Sequence, residues 1–222
     1  MSKSDNSALN AALHDGWASA CRLYEHLAQG GSLAPLPPGT LRMNPGEIQF
    51  GDALLGYARM YGAQVSYQQS SSIWFGSATF MLAGMAAEHV SNKAAQRRAE
   101  AMAAVQWRDH AYLRCVLTNH RMLCDVGGSW QAFWHQGAIE FIADLSRWAF
   151  VLRHEGGDPL MIHGPGAPWF AVATARILYG PRGLQLPAFG PLAAAMTHRR
   201  TVTGEVLGPL RSALPPGPDS PA

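Results

Sequence analysis

The stretch VLTNHRMLCDVGGSWQAFWHQGAIEFIADL, residues 116–145, consists of short apolar segments separated by turn residues. A turn centred on Asn119 and His120 brings the segments on either side of it into register. That register pairs residues with compatible side chains, one pair being of opposite charge: Cys115 with Cys124, Val116 with Leu123, Leu117 with Met122, and Arg114 with Asp125. The sequence therefore predicts an antiparallel hairpin over residues 111–126.

Further β-type segments lie on both sides of this hairpin. Residues 47–72 contain the runs EIQF, ALLGYARMY and QVSYQ, separated by glycine, and they predict three short strands. After the hairpin, the runs SWQAFWH, AIEFI, RWAFVLRH and PLMI continue to residue 162. So many short strands with turns between them predict a small, curved antiparallel sheet.

Three segments have helical patterns. Residues 5–29 carry apolar side chains at three- and four-residue steps and end at a glycine pair, which predicts an amphipathic helix. Residues 77–110 contain no proline and many strong helix formers, which predicts one long helix. Residues 167–179 have Pro168 at their start and Gly180 directly after their end, which predicts a short helix. Because this last helix is apolar on nearly all sides, we expect the fold to cover it.

Proline and glycine divide the chain into four parts. We expect an N-terminal helical segment over residues 1–31 and a linker over residues 32–46, with a domain boundary inside that linker. The main domain is predicted over residues 47–180. Residues 181–222 are predicted to be a tail that is largely disordered at its end, because its composition buries little apolar surface.

Six residues match a pattern found in bacterial PH-like and GRAM-like domains. In that pattern a strand ends in a Thr-Asn/Asp-x-Arg turn, the next strand begins with an Arg-aliphatic-Leu step, and a later strand carries an aromatic residue before an isoleucine. The matching residues here are Thr118, Asn119, Arg121, Leu123, Trp134 and Ile139. The chain thus resembles a PH-like domain over residues 45–180. It also resembles uncharacterised proteins of high-GC bacteria that share its FGS…QWR and GPxAPW segments.

This resemblance implies an α+β fold, with a PH-like (GRAM-like) curved antiparallel sheet or partly open barrel. The helix at residues 167–179 then corresponds to the C-terminal helix that caps the barrel. The predicted helix at residues 77–110 is an insertion where PH-like domains normally carry a loop. PH-like domains bind phosphoinositides, peptides or other proteins and are seldom enzymes, so the resemblance implies a binding or assembly module.

The charge and composition of the chain limit the classes of partner that it could bind and the cellular compartment in which we expect it. The 222 residues include 17 Lys+Arg and 15 Asp+Glu, a net charge of +2, which is far from the basic excess of a nucleic-acid-binding domain. The sequence has no secretory apolar region and no apolar run long enough to span a bilayer, so we expect a cytoplasmic protein. In that compartment Cys21, Cys115 and Cys124 are expected to be reduced and buried.

The sequence contains no complete catalytic motif. Several histidines adjoin an acidic residue, but neighbouring residues on a helix or strand do not share a face, so this spacing encodes no catalytic pair. Cys115, His120 and Cys124 suggest a metal clip, yet structural zinc usually needs a fourth ligand and closer cysteines. We therefore expect no catalytic residue, no metal and no cofactor.

The strongest interaction signal is the uncharged run IWFGSATFMLAGMAA at residues 73–87 and the basic sequence after it. Small side chains that would let another helix approach closely are Ala83, Gly84, Ala87 and Ala94. Residues suited to a lipid interface within residues 73–98 are Trp74, Phe75, Lys93, Arg97 and Arg98. Packing of this helix on its own sheet is the third interpretation, and the sequence leaves all three open.

The sequence thus predicts a non-enzymatic module that acts through a protein partner or through self-association. The alternative is a peripheral membrane domain that binds lipid through residues 73–98, and a third alternative is an enzyme with a histidine-based site.

Aromatic residues near residue 130 form a second candidate binding surface. Trp130 and Trp134 share one face of a strand while Phe133 and His135 share the other, and an exposed aromatic face would mark a binding site. Which of the two sets is exposed stays open.

Overall fold

The computed structural model describes residues 3–37, 39–62 and 104–206 of the chain. Within these residues it has an α+β architecture, in which an open antiparallel sheet of seven strands packs with three α-helices. The helices are α1 (Lys3–Ala28), α2 (Ala167–Tyr179) and α3 (Gly190–Val206). The strands are β1 (Gln49–Tyr61), β2 (Gln106–Thr118), β3 (Arg121–Val126), β4 (Ser129–Trp134), β5 (Ala138–Asp144), β6 (Ala149–His154) and β7 (Leu160–His163). The predicted α+β class and antiparallel sheet are confirmed.

The strands follow the order β4-β3-β2-β1-β7-β6-β5, and each neighbouring pair is antiparallel. Strands β4 and β5 form the two edges, although only the short 3-10 turn His135–Gly137 joins them in sequence. The sheet is therefore strongly curved. Its two halves meet inside the curve, where the rings of Phe133 on β4 and His154 on β6 lie 6.0 Å apart.

The predicted hairpin is confirmed in its register. Cys115 pairs with Cys124, Val116 with Leu123, and Leu117 with Met122. The fourth predicted pair, Arg114 with Asp125, is not part of this ladder. Strand β2 also pairs with β1, and Arg114 Nε donates a 2.8 Å hydrogen bond to Asp52 on that side instead.

The sequence runs EIQF and ALLGYARMY were predicted as separate strands, and this prediction is wrong for the part that the structure describes. They form the single strand β1, with Gly51 in its interior. A side chain at Gly51 would bring its Cβ within 2.8 Å of the Trp169 ring, so this glycine makes room for α2 and does not mark a turn. The third run, QVSYQ, lies outside the described residues.

The prediction of a single helix over residues 77–110 is wrong for the C-terminal end of that range. Residues 106–110 begin strand β2, where Gln106, Trp107 and Arg108 pair with the last residues of β1. Pairing with β1 outweighs the local preference for helix here, because tertiary contacts routinely override propensity. Residues 77–103 of this prediction lie outside the described residues.

Both predicted helices at the edges of the main domain are confirmed. Helix α2 spans residues 167–179 as predicted, with Pro168 in its first turn and Gly180 at its C-cap, and it is buried along most of its length. Helix α1 packs against α2 and adds its own side chains to the common core: Ala20, Cys21, Tyr24 and Leu27. The linker between α1 and β1 therefore joins parts of one packed body.

The tail predicted from residue 181 onward is folded as far as residue 206. Short 3-10 turns at Gly180–Gln185 and Pro187–Phe189 lead into helix α3. Phe189 and Leu192 are almost fully buried, and the Tyr24 hydroxyl donates a hydrogen bond to the Leu184 carbonyl. The prolines and glycines that suggested disorder instead shape tight turns. Residues 207–222 lie outside the described residues.

None of the helices in the described ranges has the length and apolar character needed to cross a membrane.

Candidate functional site

The residues predicted from sequence to make interactions lie outside the described residues. This holds for the small-residue set and for the lipid-contact set: Ala83, Gly84, Ala87 and Ala94, and Trp74, Phe75, Lys93, Arg97 and Arg98. The structure therefore neither groups nor separates them. Candidate sites elsewhere in the fold rest on other residues.

The Thr118–Arg121 turn, which carries the resemblance, has a structural role. The Thr118 hydroxyl donates a 2.8 Å hydrogen bond to Glu47 Oε1, and Arg121 donates through Nε and Nη2 to the same carboxylate at 2.8 and 3.0 Å. Asn119 accepts from the Ile48 N–H and donates to the Gly46 carbonyl. These contacts fasten the β2–β3 turn to the segment that leads into β1.

Glu47, in the segment before β1, is the common acceptor for the side chains of this turn, and its own side chain is fully buried. Burial alone would raise the pKa of its carboxyl. Hydrogen bonds from Arg121, the Asn44 N–H and Thr118 outweigh that effect and lower the pKa to about 2. Glu47 is therefore a fixed anion at neutral pH, and its surroundings are fully occupied by structural donors.

The two tryptophans of β4 lie on the outer side of the sheet, and their neighbours Phe133 and His135 are buried. Each tryptophan ring carries an arginine from an adjacent strand. The guanidinium of Arg121 lies 4.7 Å from the Trp134 ring centroid, and that of Arg114 lies 5.7 Å from the ring centroid of Trp130. The exposed aromatic face is thus the tryptophan face, and its arginines are already held by carboxylates on the other side.

His135 lies under the β2–β3 turn. Its Nε2 is 3.0 Å from the Thr118 carbonyl oxygen, an acceptor, so the neutral ring carries its proton on Nε2. Burial lowers the pKa of His135 to about 4, despite the opposing effect of this hydrogen bond. The ring is therefore neutral at physiological pH and acts as a buried structural donor.

The paired cysteines also belong to the core. Cys115 Sγ and Cys124 Sγ are 3.7 Å apart, and all three cysteines are buried free thiols. The hydrogen bond with Cys115, together with burial, raises the pKa of Cys124. Within the described ranges no group of three or more His, Cys, Asp or Glu side chains is arranged to hold a metal ion, and this includes the set with His120 that the sequence suggested.

Strand β5 forms one edge of the sheet and pairs, within the described part of the chain, only with β6. Two of its isoleucines are unusually open to solvent: Ile139 is 62% exposed and Ile142 is 46% exposed. On the inner face, the ring of Phe141 contacts that of Tyr179, itself 44% exposed, at a centroid distance of 6.5 Å. Apolar side chains therefore flank both faces of this edge.

A cavity of about 360 Å³ opens between β4, the end of β1 and the β6–β7 turn. Arg59 lies in it with its guanidinium 4.9 Å from the Phe133 ring centroid, and its Nη2 donates a 3.0 Å hydrogen bond to the Asp158 carbonyl. His154 lines the same cavity. Burial lowers the pKa of His154, and the positive charge of Arg59 lowers it further. The Trp134 backbone opposes these effects only in part, so the ring is neutral at physiological pH.

Sequence reasoning missed both of these sites. A signal for Arg59 was present, because strict alternation along β1 places Arg59 on the same face as Leu55 and Tyr57, which are buried. A cation on a buried face is rare and usually has a partner or a function. No comparable signal existed for the cavity itself, whose walls come from strands far apart in sequence.

Comparison of the chain with protein-family models, with curated proteins and with solved structures finds no match.

Proposed function

We propose that the protein is a non-enzymatic binding module with a PH-like fold, and that it binds an extended segment of a partner protein along edge strand β5. The strand order, in which β7 returns to pair with β1, supports the PH-like assignment, as does the buried helix α2 directly after β7. Such a sheet with one closing helix is the layout that the resemblance implies.

The backbone of an edge strand decides what kind of partner it accepts. In an antiparallel ladder, alternate residues direct their N–H and C=O groups away from the paired neighbour. On β5 those groups face outward, and within the described residues no strand pairs with them. An added strand satisfies them with main-chain hydrogen bonds, which is the physical basis of recognition by strand addition.

The side chains beside this edge indicate the sequence of the partner. Ile142 lies on the outer face of the sheet, while Phe141 and Tyr179 lie on the inner face. Successive residues of an added strand point to opposite faces, so each face receives every second side chain. A segment with apolar residues facing Ile142 and Tyr179 buries these side chains, and we expect it to be favoured.

One observation carries the proposal: an edge strand that no other strand of the described residues pairs on its outer side has two isoleucines that are about half exposed or more, Ile139 at 62% and Ile142 at 46%. Natural proteins usually protect a sheet edge with charges, proline or a β-bulge, which prevents pairing with other chains. The pairing of β5 with β6 is irregular between Ala138 and Glu140, so the regular edge runs from Glu140 to Asp144. On that part Ile142 is exposed, and the Glu140 charge is occupied by a 2.7 Å ion pair with Arg153.

The test is selection of displayed random peptides against the immobilised full chain, followed by hydrogen-exchange measurements with the selected peptides. We expect enriched peptides to have alternating apolar residues and to protect the amides of residues 138–144 from exchange. The variant Ile142→Lys should weaken their binding at least about tenfold, because it places a charge where an apolar contact forms. Leu54→Lys is the matched control, since Leu54 is 64% exposed but lies on β1.

Three outcomes contradict this proposal. The first is that no peptide is selected, or that selected peptides protect amides outside β5. The second is self-association of the free chain through β5, detected by light scattering, which would make a second copy the occupant. The third is salt-dependent binding to anionic vesicles that is lost in an Arg97→Glu, Arg98→Glu variant, which would favour the membrane function suggested by the sequence.

A further inference from the structure

The cavity between β4 and the β6–β7 turn contains polar atoms without partners. Arg59 is only 18% exposed, and its Nε atom is buried with no hydrogen-bond partner in the described part of the chain. Both ring nitrogens of His154 are likewise buried, and within the described ranges neither has a partner in hydrogen-bond geometry, although the Trp134 backbone lies close enough to affect the pKa of the ring. Buried polar groups in native proteins nearly always have a partner, so this set requires an explanation.

The chemistry of the unpartnered atoms favours an acceptor. Arginine Nε always carries a proton and cannot accept a hydrogen bond. The neutral His154 ring offers one N–H donor, so these unpartnered groups present two donors to the cavity, one of them on a full positive charge. The nearest carboxylate to Arg59, that of Asp158, lies 3.8 Å from Nη2 and is 54% exposed, so it neutralises Arg59 only from the solvent side.

The remaining walls of the cavity are largely apolar, apart from residues at its rim and from Gln131, whose Oε1 accepts a 3.2 Å hydrogen bond from the Tyr57 hydroxyl. Phe133 supplies aromatic surface from the inner face of β4, whereas the ring of its neighbour Trp134 lies on the outer face against Arg121. Glu155 and Asp158 lie at the exposed rim in the β6–β7 turn. The volume of about 360 Å³ falls in the range of small-molecule sites.

We propose that this cavity binds a small monocarboxylate with an apolar body, whose carboxylate accepts hydrogen bonds from Arg59 Nε and from the His154 ring. The apolar body lies against Phe133. Arginine is well suited to this role, because its planar fork matches carboxylate geometry and hydrogen bonds between ions are stronger than neutral ones. This inference is independent of strand addition at β5, which uses a different surface.

The rim carboxylates make the site selective for a single negative charge. One buried cation balances one carboxylate, whereas a phosphate dianion brings a second charge towards Glu155 and Asp158. Like charges at the mouth of a cavity, partly shielded from solvent by the protein, repel each other more strongly than in bulk solvent. We therefore expect phosphate esters of the same shape to bind more weakly than the carboxylate.

The test uses 3-phenylpropionate as the probe and titrates it into the full chain by calorimetry at neutral pH. Its neutral counterpart, 3-phenylpropanamide, and the dianion phenyl phosphate serve as comparison probes. We expect 3-phenylpropionate to bind in the millimolar range or tighter, and each comparison probe to bind at least about tenfold more weakly. The same preference is expected in the upward shift of the melting temperature, since binding to the native state stabilises it.

Variants locate the site. Arg59→Gln should weaken 3-phenylpropionate binding at least about tenfold, and His154→Gln should weaken it less, because it retains a neutral donor. Arg153→Gln is the matched control, as Arg153 adjoins His154 in sequence but is held on the opposite face by Glu140. If Arg59→Gln does not fold, the Nε–H resonance of Arg59 in the wild type gives the answer. It should move on addition of 3-phenylpropionate and stay in place with the amide.

The proposal is overturned if the wild type does not bind 3-phenylpropionate at millimolar concentration. It is also overturned if the amide binds as well as the acid, or if Arg59→Gln folds and binds as the wild type does. Failure of peptide selection at β5 does not affect it, because neither the probe nor the variants involve that edge.

Discussion

Arg121 and Glu47 form a bidentate ion pair across a distance of 74 residues in sequence. Nε and Nη2 of Arg121 each donate to a separate carboxylate oxygen, at 2.8 and 3.0 Å. The guanidinium also stacks on the Trp134 ring of the next strand. One arginine thus connects the segment before β1, the β2–β3 turn and edge strand β4.

Loss of this ion pair should be costly. Glu47→Ala leaves the largely buried Arg121 guanidinium without its carboxylate and removes an acceptor of the Thr118 hydroxyl and of the Asn44 N–H. We expect the free energy of unfolding in urea to fall by about 3–5 kcal/mol, as found when one partner of a buried pair is removed. The control is Glu140→Ala, which breaks an exposed pair with Arg153 and should cost no more than about 1 kcal/mol. Equal losses in the two variants would show that Glu47 contributes only as a surface charge.

Stability should also depend on pH through His135. Its pKa is 6.5 in the unfolded chain and about 4 in the native state, because burial disfavours the charged ring. Between these values the unfolded state binds more protons, so the contribution of His135 is complete above pH 6.5 and is lost as the pH falls towards 4. His154 and His163 have lowered pKa values for the same reason and act in the same direction.

Urea unfolding at several pH values checks this prediction. His135→Gln retains a donor for the Thr118 carbonyl but does not titrate, so the slope of stability against pH below 6.5 should be reduced in this variant without vanishing. Glu47 adds a separate loss at lower pH, between its usual 4.5 and the native value of about 2, since its native pKa is depressed. A wild type and a His135→Gln variant with identical slopes would contradict the assignment.

The local part of the fold was predictable from sequence because neighbouring strands specify their own register. The pairing of Cys115 with Cys124 follows from the turn residues between them, and Pro168 and Gly180 mark the ends of α2 without reference to the rest of the chain. Long-range packing was not predictable in the same way. Gly51 lies within a strand because of Trp169, far away in sequence, and no local pattern indicates that contact.

The candidate sites were harder to predict for the same reason. The Arg59 cavity collects side chains from β1, β4 and the β6–β7 turn, which meet only because the sheet curves. Strand β5 lies at an edge of the described sheet because β7 returns to pair with β1, which places β6 and β5 beyond it. Residues 106–110 illustrate the reverse case, in which a helical pattern yields to the strand that pairs with β1.

The role assigned to Gly51 leads to a direct test. In Gly51→Ala the new Cβ lies 2.8 Å from the Trp169 ring and 3.0 Å from that of Phe170, so α2 must move or the rings must rotate. We expect a loss of about 1–3 kcal/mol in the free energy of unfolding, typical of overpacking. Gly190→Ala is the matched control, because Gly190 has helical backbone angles and a Cβ added there would have open space for 4 Å around it. Gly190→Ala should be neutral or slightly stabilising.

The folded state of residues 181–206 predicts a strong effect of Leu192. This residue is fully buried in the common core although it follows a stretch rich in proline and glycine. Leu192→Ala should therefore lower the free energy of unfolding by about 2–5 kcal/mol, through lost apolar burial and the cavity left behind. Leu9→Ala on α1 removes the same atoms from a site that is 44% exposed, and it should change stability by no more than about 0.5 kcal/mol. If Leu192→Ala is as mild as Leu9→Ala, helix α3 does not contribute to the core, and the prediction of a tail that begins at residue 181 is correct.

Deletion of residues 212–222 should leave the melting temperature nearly unchanged, because their composition buries little apolar surface.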